Sequence, residues 1–199
     1  MSITTIIGPM FSGKTSELIR LIDRKRIAGK KCLIVKHITD TRFDNFQCTE
    51  FQEHCQKHVT THSQMRYHKC DINYLSEFND DIATQYLSKG YDVIAIDEGF
   101  FFKGINEFCN KLANNGIEVI VATLESSYKQ ELFIEIGNLI SNSENVTKLS
   151  AICMRCKVED ASFNIRIIDS DKEILVGDVG MYQSVCRKCL LLFRNKENF

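Results

Sequence analysis

The stretch that decides the fold is IIGPMFSGKTSEL, Ile6 to Leu18. An apolar strand end runs into a glycine-bounded loop, and the loop runs out into a helical pattern. Gly8, Pro9, Met10, Phe11, Ser12, Gly13, Lys14 and Thr15 fit G-x-x-x-x-G-K-[ST] in full. The glycines let the backbone curl so that its N–H groups face a polyphosphate. The helix that follows adds the positive end of its dipole, Lys14 reaches the β- and γ-phosphates, and the Thr15 hydroxyl suits Mg²⁺. The pattern therefore predicts a nucleotide site.

Outward from this loop, apolar runs at Ser2–Ile7, Cys32–Val35, Tyr91–Asp97 and Ile117–Leu124 read as short strands. A helical stripe over Ser16–Ala28 stops at Gly29, and a second helix is expected over Ile105–Gly116. Val- and Ile-rich strands alternating with helices predict an α/β fold, a P-loop (RecA-like) parallel sheet flanked by helices. In "VIAIDEG" four apolar residues carry the chain through the sheet. Asp97 and Glu98 then emerge at a strand's carboxyl end, where open α/β sheets bind ligands. Asp97 suits a Mg²⁺ contact, and Glu98 the base that takes a proton from an attacking nucleophile.

The character changes after Ser150. Cys153 and Cys156 (CMRC) and Cys186 and Cys189 (CRKC) form two C-x₂-C pairs with 29 residues between them. Two such knuckles complete a tetrahedral Zn²⁺ site with no open position, so the metal is expected to be structural. A pair of disulfides or a redox couple are the alternatives. The expected division is an ATP-binding domain at 1–150, a zinc-binding lasso domain at 151–192 with strand-like pieces at Phe163–Ile168 and Glu173–Val176, and a polar tail at 193–199.

Composition narrows the partners. The chain has 199 residues, a net charge of −1 and 44% hydrophobic residues. A near-neutral balance gives no field for nucleic acid or an anionic membrane, so neither is expected as a partner. The basic run Arg24-Lys25-Arg26 reads as the solvated face of a helix end. No apolar run approaches the roughly 20 residues that span a bilayer. No secretory pattern opens the chain, which makes a cytoplasmic location the expectation.

With these pieces assembled, the sequence resembles the type II thymidine kinases. The resemblance rests on GPMFSGKT, on DTR (Asp40–Arg42), THS (Thr61–Ser63), IDEG followed by FF, KLSAICMRC and YQSVCRKC. It implies transfer of the ATP γ-phosphate to the 5′-hydroxyl of thymidine, with thymidine triphosphate as feedback inhibitor and a homo-oligomer, tetramer or dimer. It implies that Lys14 and Thr15 hold phosphates and Mg²⁺, that Asp97 assists the metal and that Glu98 is the base. Arg42 would sit near the transferring phosphate, with Asp40 in support. Met10, Phe101, Leu124, Tyr128 and Phe133 fall where the family lines its thymine pocket, and Asn164 where it often has Thr or Ser. Leu175, Val176 and Gly177 would meet the base edge through their backbone, with Tyr182 near the sugar. Without the resemblance, Phe101, Leu124 and Phe133 would read as core, Tyr182 as packing on the knuckle and Arg42 as a surface residue.

Besides Asn164, the chain departs from the family in four places. Phe100 replaces a glutamine after DEG, Glu125-Ser126 an Asp-Gly, and Gly177-Asp178 a Gly-Gly, while Cys48–Cys70 is a long insertion. That insertion holds Cys48, Cys55, Cys70, His54, His58, His62 and His68, so an accessory metal site is one reading and a polar insertion the other. Lys196-Glu197-Asn198 matches a degradation signal. The rival functional class is a RecA-like ATPase in which Glu98 activates water. Within the kinase class, the alternative is a deoxynucleoside kinase of broadened specificity.

Overall fold

The computed structural model describes residues 1–39, 59–60, 66–168 and 180–197. In chain order the elements begin β1 (Ile3–Ile7), α1 (Lys14–Ile27), β2 (Cys32–His37), the short β3 (Val59–Thr60) and β4 (Arg66–Tyr67), β5 (Asp71–Leu75) and α2 (Asp80–Ser88). They continue β6 (Val93–Ile96), α3 (Ile105–Asn114), β7 (Glu118–Thr123), α4 (Ile134–Ser141) and β8 (Asn145–Lys148). Last come β9 (Ala151–Ile152), β10 (Asp160–Ala161), β11 (Phe163–Arg166), β12 (Tyr182–Val185) and α5 (Arg187–Glu197).

Six strands form one sheet in the order β5-β2-β6-β7-β1-β8, with every neighbouring pair parallel. The near-continuous apolar runs follow from burial on both faces. All four residues of β6 are buried. Alternate strand residues go to opposite sides. Leu33, Val35, Ile94, Ile96, Val119 and Val121 pack with α2, α3 and α4. Ile34, Ala95, Ile120 and Ala122 pack with Leu18, Ile19 and Ile22 of α1. In α3, Ile105, Phe108, Cys109 and Leu112 are the buried stripe, at the i, i+3, i+4, i+7 spacing of one helix face. Asn79 caps α2 by accepting a hydrogen bond from the Ile82 N–H at 2.9 Å. The basic run ends α1 as expected, and Lys25 there pairs with Glu118 at 2.7 Å.

The strands predicted at the sheet centre are present. The sequence reading left out β5, α2, α4 and β8. Strand β8, Asn-Val-Thr-Lys, is exposed at all four positions, so it has no apolar run to betray it. It is an edge strand held by β1. Beyond it lie the antiparallel pairs β9–β10 and β11–β12. With α5 they close a small core of Ala151, Cys153, Ala161, Ile165, Val185 and Leu190. Helix α5 runs on through 193–197, read from sequence as a polar tail. The strand expected at Glu173–Val176 and the residue Asn198 lie outside the described residues. So does most of the Cys48–Cys70 insertion, including Cys48, Cys55, His54, His58 and His62.

Candidate active site

The loop between β1 and α1 lies at the carboxyl edge of the sheet. Gly8 (φ +147°) enters it and Gly13 (φ +84°) caps α1 in the left-handed region, where a side chain would be strained. Phe11 also sits there (φ +63°), without a glycine's freedom. The buried Lys14 donates from Nζ to the Pro9 carbonyl at 2.8 Å, and the Ser12 hydroxyl donates to the same oxygen at 2.8 Å. The ammonium is thus already folded over the loop's hollow.

Strand β7 stands between β1 and β6, so Asp97 and Glu98 emerge two strands away from the loop. The Thr15 hydroxyl bridges that gap, donating to Asp97 Oδ1 at 3.1 Å. Both acids are buried, Asp97 at 3% and Glu98 at 8% exposure. Glu98 takes a left-handed backbone (φ 53°, ψ 47°), a conformation that costs a non-glycine residue about 1–2 kcal/mol. Such strain persists only where the surroundings over-determine it. It turns the chain sharply from β6 into the single 3₁₀ turn Gly99–Phe101. A hydroxyl and a carboxylate are hard oxygen donors of the kind Mg²⁺ takes, so this pair fits that ion.

Aromatic rings gather beside the acidic pair. Phe100 stacks on Phe133 with centroids 5.4 Å apart and planes at 17°, and tilts against Phe101 at 4.1 Å. His37, at the end of β2, stacks on Phe101 from the other side at 5.3 Å. The residue replacing the family glutamine therefore joins an aromatic row, where an amide would have had to find hydrogen bonds. Phe101, Leu124 and Phe133 are all half-buried, unlike the sheet's core side chains. From Leu124 the chain turns through a tight hairpin, with Ser126 opposite Leu132 and Gln130 at the left-handed corner. Tyr128 is near its tip under the Arg166 guanidinium, 4.0 Å from the ring centroid. Gln130 Nε2 donates to the Asn164 carbonyl at 3.0 Å and so ties the hairpin to β11. A cavity of about 530 Å³ opens alongside, lined by Tyr128, Gln130, Ile165, Arg166, Phe193 and Arg194, large enough for a nucleoside-sized ligand.

The remaining expected residues fall in three places. Tyr182 lies on β12 opposite Arg166 of β11. Met10 is buried within the phosphate loop, and the Asn164 side chain lies against it, accepting the Met10 N–H at 2.9 Å. Asp40, Arg42, Leu175, Val176 and Gly177 lie outside the described residues.

The four cysteines come together. The Sγ atoms of Cys153, Cys156, Cys186 and Cys189 all lie within 4.8 Å of one another, and Cys156 and Cys186 are 3.9 Å apart. A tetrahedron with Zn–S bonds of about 2.3 Å has sulfurs about 3.8 Å apart, whereas a disulfide needs about 2.05 Å. The donor set and spacing fit zinc. Electrostatics divides the thiols: burial and the neighbouring thiols raise Cys189. At Cys153 burial also disfavours the thiolate, but the N–H groups of Cys156, Cys186 and Arg155 outweigh it and lower the pKa to about 6. Among the described residues this is the one metal-competent cluster of three or more Cys, His, Asp or Glu.

Two site residues escaped the sequence reading. Glu125 Oε2 accepts the Gly8 N–H at 3.0 Å, while its Oε1 pairs with Lys148 Nζ at 2.9 Å. It lies just past β7 at the carboxyl edge, so the reasoning that picked out Asp97 past β6 could have found it.

A parallel sheet with a phosphate loop at its carboxyl edge, and a buried acidic pair two strands away, defines a P-loop nucleotide enzyme. The thymidine kinase family model matches residues 1–190. A thymidine kinase of Acanthamoeba polyphaga mimivirus is 58% identical over 196 residues, covering 98% of this chain and 84% of that one. Thymidine kinase 1 of Dictyostelium discoideum is 40% identical over 196 residues, 98% of this chain and 80% of its own. The thymidine kinase of Sheeppox virus is 41% identical over 189 residues, 94% of this chain and 95% of its own. The chain belongs to the thymidine kinase family, and with it to the ATP-dependent nucleoside kinases.

Proposed function

We propose that this chain transfers the γ-phosphoryl group of ATP to the 5′-hydroxyl of thymidine, giving thymidine monophosphate and ADP, a salvage step in DNA precursor synthesis. Family membership supports the reaction class and substrate. The observation that carries the chemistry is the Thr15–Asp97 hydrogen bond at 3.1 Å, with Glu98 held next to it in a strained left-handed turn. In-line displacement forms a bond from the 5′-oxygen to the γ-phosphorus as the bond to the β,γ-bridging oxygen breaks, and the hydroxyl proton passes to the Glu98 carboxylate.

The rest is positioning and charge. The N–H groups of the loop Gly8–Thr15 cradle the phosphates, and Lys14 leaves the Pro9 carbonyl for the β- and γ-oxygens. Thr15 Oγ1 and the Asp97 carboxylate would hold Mg²⁺, which when bound would supply positive charge against the phosphate oxygens. Arg42 approaches the transferring group, with Asp40 in support. The nucleoside lies against Met10, Phe101, Leu124, Tyr128, Phe133 and Asn164. The backbone of Leu175, Val176 and Gly177 covers the base, and Tyr182 flanks the sugar. The four-cysteine site would hold a structural zinc, since four thiolates fill a tetrahedral coordination and leave no open position for a catalytic water. The working enzyme is a homo-oligomer, dimer or tetramer, in the cytoplasm, inhibited by thymidine triphosphate. No helix among the described residues is long and apolar enough to cross a membrane, in keeping with that location.

The test is ATP-dependent phosphorylation of thymidine, deoxyuridine and deoxycytidine in parallel, with free phosphate recorded. Preferential thymidine monophosphate formation is the expected result. Comparable turnover of all three would replace it with a broadened deoxynucleoside kinase. Phosphate release without a nucleotide product would replace it with an ATPase in which Glu98 activates water.

A further inference from the structure

The phosphate loop is gripped from outside the parallel sheet. The Met10 backbone is bonded on both sides of its Cα: its N–H donates to Asn164 Oδ1 at 2.9 Å, and its carbonyl accepts from the Ser184 hydroxyl. Both partners are buried, Asn164 at 7% and Ser184 at 0% exposure. They are register partners across β11 and β12, so they leave the hairpin together on one face. The next residue, Phe11, takes its left-handed backbone and packs against the small core that contains Cys153, Cys186 and Cys189. The hairpin is itself anchored on the cysteine knuckles. The Met154 N–H donates to the Ser184 carbonyl at 2.9 Å, and Cys186 follows two residues later.

A glycine-bounded loop has many conformations, and only one of them aims its remaining N–H groups at a phosphate. Holding both peptide groups that flank Met10 and seating the neighbouring ring removes that freedom before the ligand arrives. The left-handed Phe11 would relax toward an ordinary backbone if its ring were not seated. We infer that the β11–β12 hairpin is a positioning clamp on the phosphate loop, acting through Asn164 and Ser184, and that it sets the affinity for the phosphates of ATP. The cysteine cluster then does more than close a loop over the nucleoside, because the base of its hairpin shapes the opposite substrate's site. Asn164 and Ser184 are positioning residues, each acting on ATP through the Met10 peptide.

The inference rests on Gly8–Thr15 being the ATP phosphate loop, and calorimetry of both substrates separates the two ideas. ATP and thymidine are titrated separately into wild type, Asn164→Leu, Ser184→Ala and the double variant, with a thermal melt of each. Stripping a buried N–H or carbonyl of its partner should weaken ATP binding about tenfold in each single variant, with thymidine affinity kept within about twofold in Ser184→Ala, whose residue lies outside the proposed nucleoside wall. The double variant should lose less than the product of the two single losses, since both act on the backbone of one residue. Should Asn164→Leu fail to fold, Ser184→Ala carries the test alone.

Unchanged ATP affinity in the variants would overturn the clamp and leave the phosphate loop standing. A loss confined to thymidine would leave Asn164 a nucleoside contact alone and overturn the clamp too. Parallel loss of both ligands with a lowered melting temperature would reduce the pair to general stability. Wild type that binds no ATP would overturn the loop reading, and this inference with it.

Discussion

Replacing Gly8 by alanine tests the claim that the phosphate loop is shaped by close backbone approach as well as by glycine's freedom. A Cβ on Gly8 would stand 2.5 Å from the Leu149 carbonyl oxygen, 2.9 Å from Ser12 Oγ and 3.2 Å from the Leu149 carbonyl carbon. Ser12 can swing away. The Leu149 carbonyl cannot, because its residue directly follows β8 and its own N–H is bonded to the Ile7 carbonyl at 2.9 Å. The φ of +147° adds strain of its own. Overpacking against backbone costs about 1–3 kcal/mol and the backbone region about 1 kcal/mol more, a total of about 2–4 kcal/mol. For a chain of this size that lowers the melting temperature by about 6–12 °C. Gly13→Ala is the control: φ is +84°, but nothing lies within 4 Å of its Cβ, so only the backbone cost of about 1 kcal/mol, or about 3 °C, is expected. Thermal melts of both variants, with calorimetric titration of ATP, give the comparison. Gly8→Ala should also lose ATP binding by more than about tenfold, since the wall it meets forces the loop entrance to move. Equal melting temperatures for the two variants would refute the reasoning, because it assigns the difference to contact with Leu149 and to nothing else.

Glu98→Gln should keep ATP and thymidine binding while lowering kcat by at least about 10²-fold, read from steady-state kinetics beside calorimetry. A variant with near-normal kcat would remove Glu98 from the base role. Metal analysis should return one zinc per chain, lost on Cys153→Ala, with a melting temperature that then falls steeply. A second zinc retained by that variant would place an accessory site elsewhere, the Cys/His-rich insertion being the first place to look. The Glu144 carboxylate accepts the Ile3 N–H at 2.6 Å, and that bond lowers its pKa from the ordinary 4.5. A depressed carboxyl adds stability above its unfolded pKa and loses it as pH falls through the folded value. The melting-temperature gap between wild type and Glu144→Gln should therefore be present at pH 6 and close below about pH 4. A gap unchanged down to pH 3 would remove Glu144 from that role.

The centre of the sheet was legible because a strand buried on both faces has to be apolar throughout. Val93–Ile96 and Glu118–Thr123 announce themselves in that way. The loop and the cysteine pairs were legible because their chemistry fixes both residue type and spacing. Edge strand β8 shows no such signal, since Asn145, Val146, Thr147 and Lys148 all face solvent on at least one side and are held by backbone bonds that any sequence can make. Ser184, and the contact of Asn164 with the phosphate loop, were hidden for the opposite reason. Polar residues in short strands read as solvent-facing, and nothing local tells that a backbone peptide 154 residues away in sequence is waiting for Asn164. Burial of a polar side chain is a tertiary fact.

The same distinction bears on Phe100. In the sequence it was a loss, an amide missing beside the proposed base. In the fold its ring stacks on Phe133 and leans on Phe101, which in turn meets His37. An amide at this position would have held its neighbours by directional hydrogen bonds, whereas the ring holds them by apolar area and offset stacking, worth about 0.5–1.5 kcal/mol for each pair beyond burial. Stacking fixes the distance between planes but lets them slide, so it constrains the proposed nucleoside wall less in direction than in width. The glutamic acid two residues earlier is then oriented by its own left-handed backbone and by the turn into Gly99–Phe101. The backbone at Glu98 is set by the main chain, so the proposed base would hold its place beside a phenylalanine where the family usually has a glutamine.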